Sequence, residues 1–250
     1  MFISSLLRRI RRAIPFAIVE RDYYQRMHRR CQRQGTRGAI DFAIVRGLTA
    51  ASIIDVGAEL GTPAIWSRFP HAAQLLIEPR QECLPTLEEH ARNSRALGVE
   101  VQIACVAVGE AEGEAEFQIA AKGESSSLLS PADRTSPTQT VRVSVRTIDA
   151  LLRENSLPTP FFLKIDAEGY DLKVLHGAVE TLKKCSAVMV EGTPKERQVG
   201  ACKMSELVNF MEARDWVLFD IFSPHYADDN VLDHFDLLFV PAGSMLLKSA

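Results

Sequence analysis

The segment Ser52–Gly61 constrains the fold of this chain more than any other part of the sequence. It begins with a mostly apolar run, Ile53–Val56, which predicts a short buried strand, and it ends with two glycines, Gly57 and Gly61. A strand that closes in a glycine-rich turn and then opens a helix lets the backbone approach a ligand at the carboxyl end of a parallel strand. The segment therefore predicts an α/β sheet with a nucleotide-like ligand at this turn.

Two details of this turn narrow the choice of ligand. The glycines are four residues apart, whereas the dinucleotide-binding fingerprint starts with a closely spaced pair. A carboxylate at Asp55 would repel a pyrophosphate, but it suits a ligand that carries an ammonium and a sulfonium group. Both details argue against an NAD-dependent oxidoreductase and favour S-adenosylmethionine. Glu78 directly follows a second predicted strand and lies about twenty residues after Gly57, the interval expected for a ribose-binding acid, so it supports the same ligand.

Length and composition allow one large α/β domain of 250 residues. Five scattered cysteines with no Cys-x-x-Cys pair predict neither a disulfide framework nor a zinc site, and they favour a cytoplasmic protein. Residues 1–38 carry ten arginines against two acids, a balance of +8, which leaves −11 for the remainder of a chain whose net charge is −3. An acidic body argues against a nucleic-acid partner.

The basic N-terminal part predicts a separate unit. Apolar residues at helical spacing between the arginines of Met1–Arg30 predict an amphipathic helix, which could lie on anionic lipid at the inner membrane surface or on a partner. The alternative is a helix packed across the domain, or a partly disordered extension. A break at Gln34–Gly38 divides the chain into a basic helical extension, 1–38, and a catalytic domain, 39–250, whose first helix is expected at Ala39–Leu48.

The strand Phe161–Ile165 predicts where chemistry occurs. It runs into Asp166 and Glu168, and a helix, Tyr170–Lys184, is expected to follow; a later strand, Ser186–Val190, ends in another acid, Glu191. Carboxyl ends of parallel strands meet at one edge of a sheet, so these acids predict an acidic mouth there. The closing pair of strands, joined without a helix by a loop at 223–234, predicts an antiparallel last strand.

Taken together, these segments resemble the FkbM family of S-adenosylmethionine-dependent methyltransferases. The matching segments, in chain order, are Ile54–Gly61, Glu78–Pro79, Ala107–Gly109, Ser126–Leu128, Thr147–Asp149, Leu163–Leu172 and His176–Ala178. The resemblance implies a Rossmann-like class I methyltransferase fold, α/β in class. Its mainly parallel, seven-stranded sheet would have an antiparallel last strand and helices on both faces. It also implies O-methylation of a hydroxyl on a small-molecule or glycan acceptor.

The resemblance assigns the cofactor site residue by residue. Asp55 would order the amino group, Gly57 and Gly61 would admit the methionine end, and Glu78 would hold the ribose. The adenine would lie against the segment after the third strand. The residues expected to bind the cofactor are Asp55, Gly57, Ala58, Glu59, Gly61, Glu78, Pro79, Cys105, Val106 and Ala107. The family usually has asparagine at Glu59, which keeps open a catalytically silent binding module with the basic arm as its active part.

Four residues are candidates for catalysis. Asp166 is the expected general base, because we place it in the less solvated position with the higher pKa. Glu168, expected at a helix N-terminus, would position the acceptor, and Lys164 could hold one acid ionised. His225, in the closing loop with His234, is the alternative base. The prediction includes no metal; the alternative is a divalent cation held by Asp166, Glu168 and Glu191.

Overall fold

The computed structural model describes residues 35–120, 126–129 and 138–248. The predicted basic helix Met1–Arg30 lies outside the described residues. The strands are β1 (Ser52–Val56), β2 (Ala73–Ile77), β3 (Val101–Ala104), β4 (Ala107–Val108), β5 (Gly113–Ala120), β6 (Thr138–Arg146), β7 (Phe161–Ile165), β8 (Cys185–Gly192), β9 (Trp216–Tyr226) and β10 (Leu232–Pro241). The helices are α1 (Thr36–Val45), α2 (Pro63–Trp66), α3 (Leu84–Ala96), α4 (Ile148–Glu154), α5 (Asp171–His176), α6 (Val179–Leu182) and α7 (Met204–Glu212), with short 3₁₀ turns at Gln81–Cys83 and Met245–Leu247.

Seven strands form the main sheet in the order β3-β2-β1-β7-β8-β10-β9. The first five of these run parallel, and β10 is antiparallel to both of its neighbours, β8 and β9. This arrangement confirms the predicted fold class, including the antiparallel last strand, which is inserted between β8 and β9. All five residues of β1, β2 and β7 are buried, as expected for parallel strands covered on both faces.

The alternation of side chains along the strands divides the core into two clusters, one on each face of the sheet. Leu163 belongs to one cluster with residues of α5 and α7, and Phe162, its neighbour in β7, belongs to the other with residues of α1 and α3. Helices therefore cover both faces of the sheet, as predicted. Phe162 is fully buried, so its aromatic ring ties the central strand to the helices of the second cluster.

Two predicted helices differ from the structure. Helix α1 begins at Thr36, earlier than the expected start at Ala39, so the end of the predicted break, from Thr36 to Gly38, belongs to the helix. The helix expected at Tyr170–Lys184 is two short helices, α5 and α6, separated by Gly177. A side chain at Gly177 would collide with the backbone oxygen of Gly109. The close approach of these two segments therefore interrupts the helix, which no local pattern in the sequence indicates.

The closing strands are longer than predicted. The loop expected at 223–234 is mostly strand, because β9 continues to Tyr226 and β10 begins at Leu232. His225 lies directly opposite His234 in this ladder. The polar side chains of this hairpin hide the alternation that marks a half-buried strand, so the sequence predicted a loop there.

A smaller sheet lies beside the main one. Its strand order is β4-β6-β5, with β5 antiparallel to β6. Gln118 of β5 and Ser127, which lies outside the named strands, exchange two backbone hydrogen bonds, at 2.8 and 3.0 Å. Within the described part of the chain, no helix combines the length and apolar character needed to cross a membrane.

Candidate active site at the carboxyl edge of the sheet

A cavity opens at the carboxyl ends of β1, β2 and β7, and its empty space, together with the open solvent at its mouth, is about 740 Å³. Loops after these three strands and after β3 form its walls, and the small sheet and the segment at 126–129 complete them. The residues that line it are Val56, Gly57, Glu59, Ile77, Glu78, Pro79, Arg80, Val106, Ala107, Val108, Phe117, Ser126, Leu128, Asp166, Ala167, Glu168 and Tyr170. The cavity thus combines an apolar wall with carboxylates at its two ends, which is the usual composition of a small-molecule site.

Gly57 packs the turn after β1 against the end of β7. It adopts a φ of 67°, and a Cβ there would collide with the backbone oxygen of Asp166. Its amide and that of Ala58 donate to the carbonyl of Ile77, at 3.0 and 3.1 Å. Gly57 lines the cavity, whereas Gly61 packs against Trp66 and Ala58 is buried behind the turn. Gly57 therefore allows the ends of β1 and β7 to pack closely and also leaves the backbone accessible to a ligand.

Asp55 lies beneath the turn rather than in the cavity. Its side chain is fully buried, and it accepts a hydrogen bond from Trp66 Nε1 at 2.9 Å. Its Oδ1 is 3.3 Å from Lys164 Nζ. The expected direct contact with the cofactor amino group is therefore not the role that this geometry supports. The strand register pairs Asp55 of β1 with Lys164 of β7, and both side chains are buried near the carboxyl ends of these strands.

Lys164 connects the buried carboxylate to the cavity wall. Its Nζ is 3.4 Å from Asp166 Oδ2 and donates to the carbonyls of Val56 and Gly57, at 3.1 and 2.7 Å. Burial alone would lower the pKa of Lys164, but the charges of Asp55 and Asp166 outweigh burial and raise the pKa above its ordinary value. Lys164 therefore carries a permanent positive charge below the turn.

Glu78 is held in a fixed orientation at one end of the cavity. Its side chain is only 4% exposed. One oxygen accepts from the backbone N and the Nε of Arg80, both at 3.0 Å, and the other accepts from the amide of Glu59 at 2.9 Å. Three donors fix the orientation of this carboxylate, and its remaining lone pairs can accept further hydrogen bonds.

Arg80 is a site residue that the sequence interpretation missed. It lines the cavity, and its Nη2 is 3.1 Å from Glu59 Oε1 while its Nε contacts Glu78. Burial would lower the pKa of Arg80, but the charge and hydrogen bond of Glu78 and the hydrogen bond of Glu59 raise it. The positive charge between two acids relieves the crowding of negative charge that Glu59 would otherwise cause. Only its position after Glu78 and Pro79 could have indicated it.

The expected adenine side of the site is only partly at the cavity. Pro79, Val106 and Ala107 line it, as does Phe117 from the small sheet. Cys105 is exposed, and its Sγ is directed at the carbonyl of Pro79 at 3.7 Å. Its side chain is thus turned back toward the preceding loop, because the chain bends between β3 and β4.

The two acids after β7 line the opposite end of the cavity. The side chain of Asp166 is 41% exposed and that of Glu168 is 20% exposed, so the expectation that Asp166 is the less solvated acid is wrong. Glu168 adopts a left-handed φ of 51°, which is uncommon for a residue with a side chain and indicates a constrained turn. It also precedes the helix, which begins at Asp171.

Asp171 and Ser127 hold this turn in place. The carboxylate of Asp171 is buried and accepts hydrogen bonds from the amides of Ala167 and Gly169, at 3.1 and 2.9 Å. Burial and the charge of Asp166 raise the pKa of Asp171 to about 6. Ser127 Oγ lies 3.1 Å from the carbonyl of Glu168 and 3.3 Å from that of Ala167. Ser127 thereby gives a physical reason for the Ser-Ser-Leu segment noted in the sequence.

A third acid, Glu191 at the end of β8, completes an acidic cluster. One carboxylate oxygen from each of Asp166, Glu168 and Glu191 lies within 4.8 Å of the others. Arg197 Nη1 is 2.7 Å from Glu191 Oε1 and 3.7 Å from Glu168 Oε2. Burial, followed by the charges of Asp166, Glu168 and Asp171, raises the pKa of Glu191 to about 9 even with Arg197 nearby. Nothing in the spacing of the sequence indicates Arg197.

His225 does not line the cavity. Its exposed ring stacks on that of His234, with centroids 4.3 Å apart, and His234 Nδ1 is 3.0 Å from Asp233 Oδ2. Asp233 in turn is 3.4 Å from Arg197 Nε. The hairpin therefore approaches the acidic cluster through Asp233 and Arg197, but it does not bring the His225 imidazole to the cavity wall.

The strand order, the inserted antiparallel strand and the cavity at the carboxyl edge define a class I methyltransferase fold. Residues 55–220 match the methyltransferase FkbM domain. The chain belongs to the methyltransferase FkbM family, which confirms the predicted family, and S-adenosylmethionine is the cofactor of such enzymes, as predicted. No curated protein matches the chain.

Three solved structures illustrate the likeness. Methyltransferase FkbM from Methylobacillus flagellatus KT is 17% identical, with a TM-score of 0.47 over 76% of this chain and 43% of that one. The O-methyltransferase TomG from Streptomyces achromogenes, involved in tomaymycin synthesis and solved with SAM, is 15% identical (TM-score 0.45, 80% and 77% covered). A S-adenosylmethionine-dependent methyltransferase from Clostridium acetobutylicum is 10% identical (TM-score 0.43, 82% and 89%). This chain thus spans less than half of the Methylobacillus protein.

Proposed function

We propose that this protein transfers the methyl group of S-adenosylmethionine to a hydroxyl oxygen of a small-molecule or glycan acceptor. The observation that carries the proposal is one cavity lined by Glu78, which follows β2, and by Asp166 and Glu168, which follow β7 on the other side of β1. A cofactor whose ribose lies at Glu78 would extend along this cavity toward the two acids. The family match supports methyl transfer, and the acidic end supports a neutral acceptor that must lose a proton.

The residues of the cavity fit the parts of the cofactor. Glu78 offers carboxylate oxygens that its three donors hold in place, and a vicinal diol has two hydroxyl groups to donate to them. Pro79, Val106 and Phe117 provide an apolar surface for an adenine ring. When bound, S-adenosylmethionine supplies a methyl group that its sulfonium has already activated.

The residues after β7 provide what methyl transfer then requires. The transfer is an in-line displacement: a bond forms between the acceptor oxygen and the methyl carbon, the bond from carbon to sulfur breaks, and the hydroxyl proton must be accepted. The protein must hold the acceptor at about 3 Å from the methyl group and take up that proton. Asp166 lines the cavity with a partly exposed carboxylate, and its Oδ2 lies 3.4 Å from Lys164 Nζ, so this group is placed to accept the proton.

The catalytically silent alternative rested on Glu59, and Arg80 removes much of its support. A second carboxylate in the cofactor turn would weaken cofactor binding only if its negative charge were uncompensated. Arg80 Nη2 is 3.1 Å from Glu59 Oε1, so the turn carries its own counter-charge. The geometry therefore favours the enzyme.

Calorimetric titration with S-adenosylhomocysteine tests the proposal without knowledge of the acceptor. The wild-type protein should bind, and Glu78→Gln, which replaces an accepting oxygen by a donor, should weaken binding by about 1–3 kcal/mol. The matched control is Glu82→Gln, at an exposed acid four residues further along the chain. A folded wild-type protein that fails to bind, or equal affinity in the Glu78→Gln variant, would contradict the proposed cofactor site.

A further inference from the structure

The cluster of Asp166, Glu168 and Glu191 raises a physical problem. Carboxylate oxygens that lie within 4.8 Å of one another repel strongly when they are partly buried, so such a group needs a cation or a bound proton. A divalent metal is one solution, and three oxygens at such distances are compatible with it. Among the described residues, the guanidinium of Arg197 provides a different cation beside the same cluster.

Arg197 already contacts two of the three acids. Its Nη1 is 2.7 Å from Glu191 and 3.7 Å from Glu168, and its side chain is 23% exposed. Its Nε is 3.4 Å from Asp233 Oδ2, on the side away from the cluster. Acids on both sides of the guanidinium hold its plane in one orientation, as expected for an arginine that bridges several carboxylates.

The segment that carries Arg197 is attached to the turn that carries Glu168. The amide of Cys202 donates to the carbonyl of Gly169 at 3.0 Å, and Thr193 Oγ1 donates to the carbonyl of Cys202 at 3.2 Å. Gly169 packs against Ala201, where any side chain on the glycine would meet the Ala201 methyl group. Arg197 therefore keeps a constant position relative to Glu168, although the two residues are distant in sequence.

We propose that Arg197 is the resident cation of this carboxylate cluster and that it positions Glu168 and Glu191 in the role that a divalent metal would otherwise fill. This inference rests on the proposed function only in placing the acceptor beside the cluster. Its consequence for the acceptor is that the hydroxyl meets carboxyl groups whose oxygens the guanidinium already contacts. Such groups accept hydrogen bonds from a neutral polyol and exclude an anionic acceptor.

Removing the guanidinium should expose a cation site, which Mn²⁺ can report. We would titrate the full chain with Mn²⁺ and follow free Mn²⁺ by electron paramagnetic resonance. The wild-type protein and Arg197→Lys, which keeps a cation, should show no specific site. Arg197→Met should bind Mn²⁺ about tenfold more tightly or better, because the loss of one cation leaves the cluster more negative and more attractive to a divalent ion. Adding Glu191→Gln to Arg197→Met should abolish the gain.

Two controls separate this effect from others. Arg142→Met removes an exposed arginine that pairs with Glu114 on the small sheet and should leave Mn²⁺ binding at the wild-type level. Binding of S-adenosylhomocysteine, measured on the same samples, tests the proposed function independently, because the cofactor site does not include Arg197.

Either of two results would overturn the inference. One is a folded Arg197→Met protein with no gain in Mn²⁺ affinity. The other is tight Mn²⁺ binding by the wild-type protein that Glu191→Gln removes, which would show that the cluster is a metal site. The second result needs only wild-type protein and Glu191→Gln, so it decides the question even if Arg197→Met does not fold.

Discussion

At the scale of single residues, Asp166 is the group on which the proposed chemistry depends most. It lines the cavity, and Lys164 lies 3.4 Å from its Oδ2. Asp166→Asn keeps the shape of the side chain and removes the charge. Methyl transfer to an acceptor found by screening should fall about 10²–10⁴-fold, the usual contribution of a general base.

Two measurements on the same proteins give the control for Asp166. S-adenosylhomocysteine should bind Asp166→Asn with nearly the wild-type affinity, because Glu78 and the apolar wall are unchanged. His225→Ala should be as active as the wild-type protein, since its ring lies outside the cavity. Normal turnover by Asp166→Asn together with an inactive His225→Ala would assign the base to the hairpin.

A second prediction at the scale of single residues concerns Glu191 and the pH dependence of stability. Its pKa is raised from 4.5 to about 9, first by burial and then by neighbouring acids. The folded protein keeps this proton where the unfolded chain has lost it, so the free energy of unfolding falls as pH rises between these two values. The stabilisation is complete below the unfolded pKa and is lost as pH rises through the folded one.

Glu191→Gln cannot ionise and should flatten this dependence. Thermal unfolding at about pH 5.5 and about pH 8.5 should show that the variant loses less stability than the wild-type protein at the higher pH, by roughly 2–4 °C or more in Tm. Glu88→Gln, at an exposed position of α3, is the control and should follow the wild-type curve. Parallel curves for Glu191→Gln and the wild-type protein would show that Glu191 ionises normally.

At the scale of elements, close approach of backbones decides where helices end. Gly177 separates α5 from α6, and a Cβ there would collide with the oxygen of Gly109 and lie 3.3 Å from Thr147 Cβ. Gly177→Ala should therefore lower the free energy of unfolding by about 1–3 kcal/mol, the usual cost of overpacking. Denaturant unfolding measures it. Gly243→Ala, with no atom near the added Cβ, is the matched control; equal losses in both variants would contradict the explanation.

At the scale of the whole molecule, the charge asymmetry makes a prediction about partners. We propose that the arginine-rich part before Gly35 binds anionic surfaces such as the inner membrane leaflet. The full chain should then co-sediment with vesicles that contain phosphatidylglycerol, and added salt should reduce this binding because it screens the attraction.

The structure sets where a truncation should begin. Thr36 Oγ1 donates to Asp236 Oδ2 at 3.3 Å, so a chain shortened to Gly38 would lose a contact of the folded domain. A chain that begins at Gly35 should remain folded and lose vesicle binding. Vesicle binding that is equal in the two forms would remove the proposed role of this segment.

Much of the fold follows from local patterns. The apolar runs at β1, β2, β7 and β8 are fully or largely buried, because parallel strands covered on both faces must be apolar throughout. Their polar ends had to lie at one edge, which placed Glu78, Asp166 and Glu168 around one cavity. Thr147 caps α4, where its Oγ1 accepts from the amide of Ala150 at 3.1 Å, as is usual for a threonine directly before a helix.

Only the tertiary structure decided which side chains pair with these acids. Asp55 is turned away from the cavity because Trp66 and Lys164 take its oxygens. Arg80 and Arg197 reach the site from loops whose sequence has no periodicity to interpret. A local sequence pattern indicates the secondary structure and burial of its own element. The counter-ion of an acid, in contrast, depends on which residues the folded chain brings close to it. The sequence alone therefore determined the sheet, its functional edge and the acids on it, and packing determined their partners.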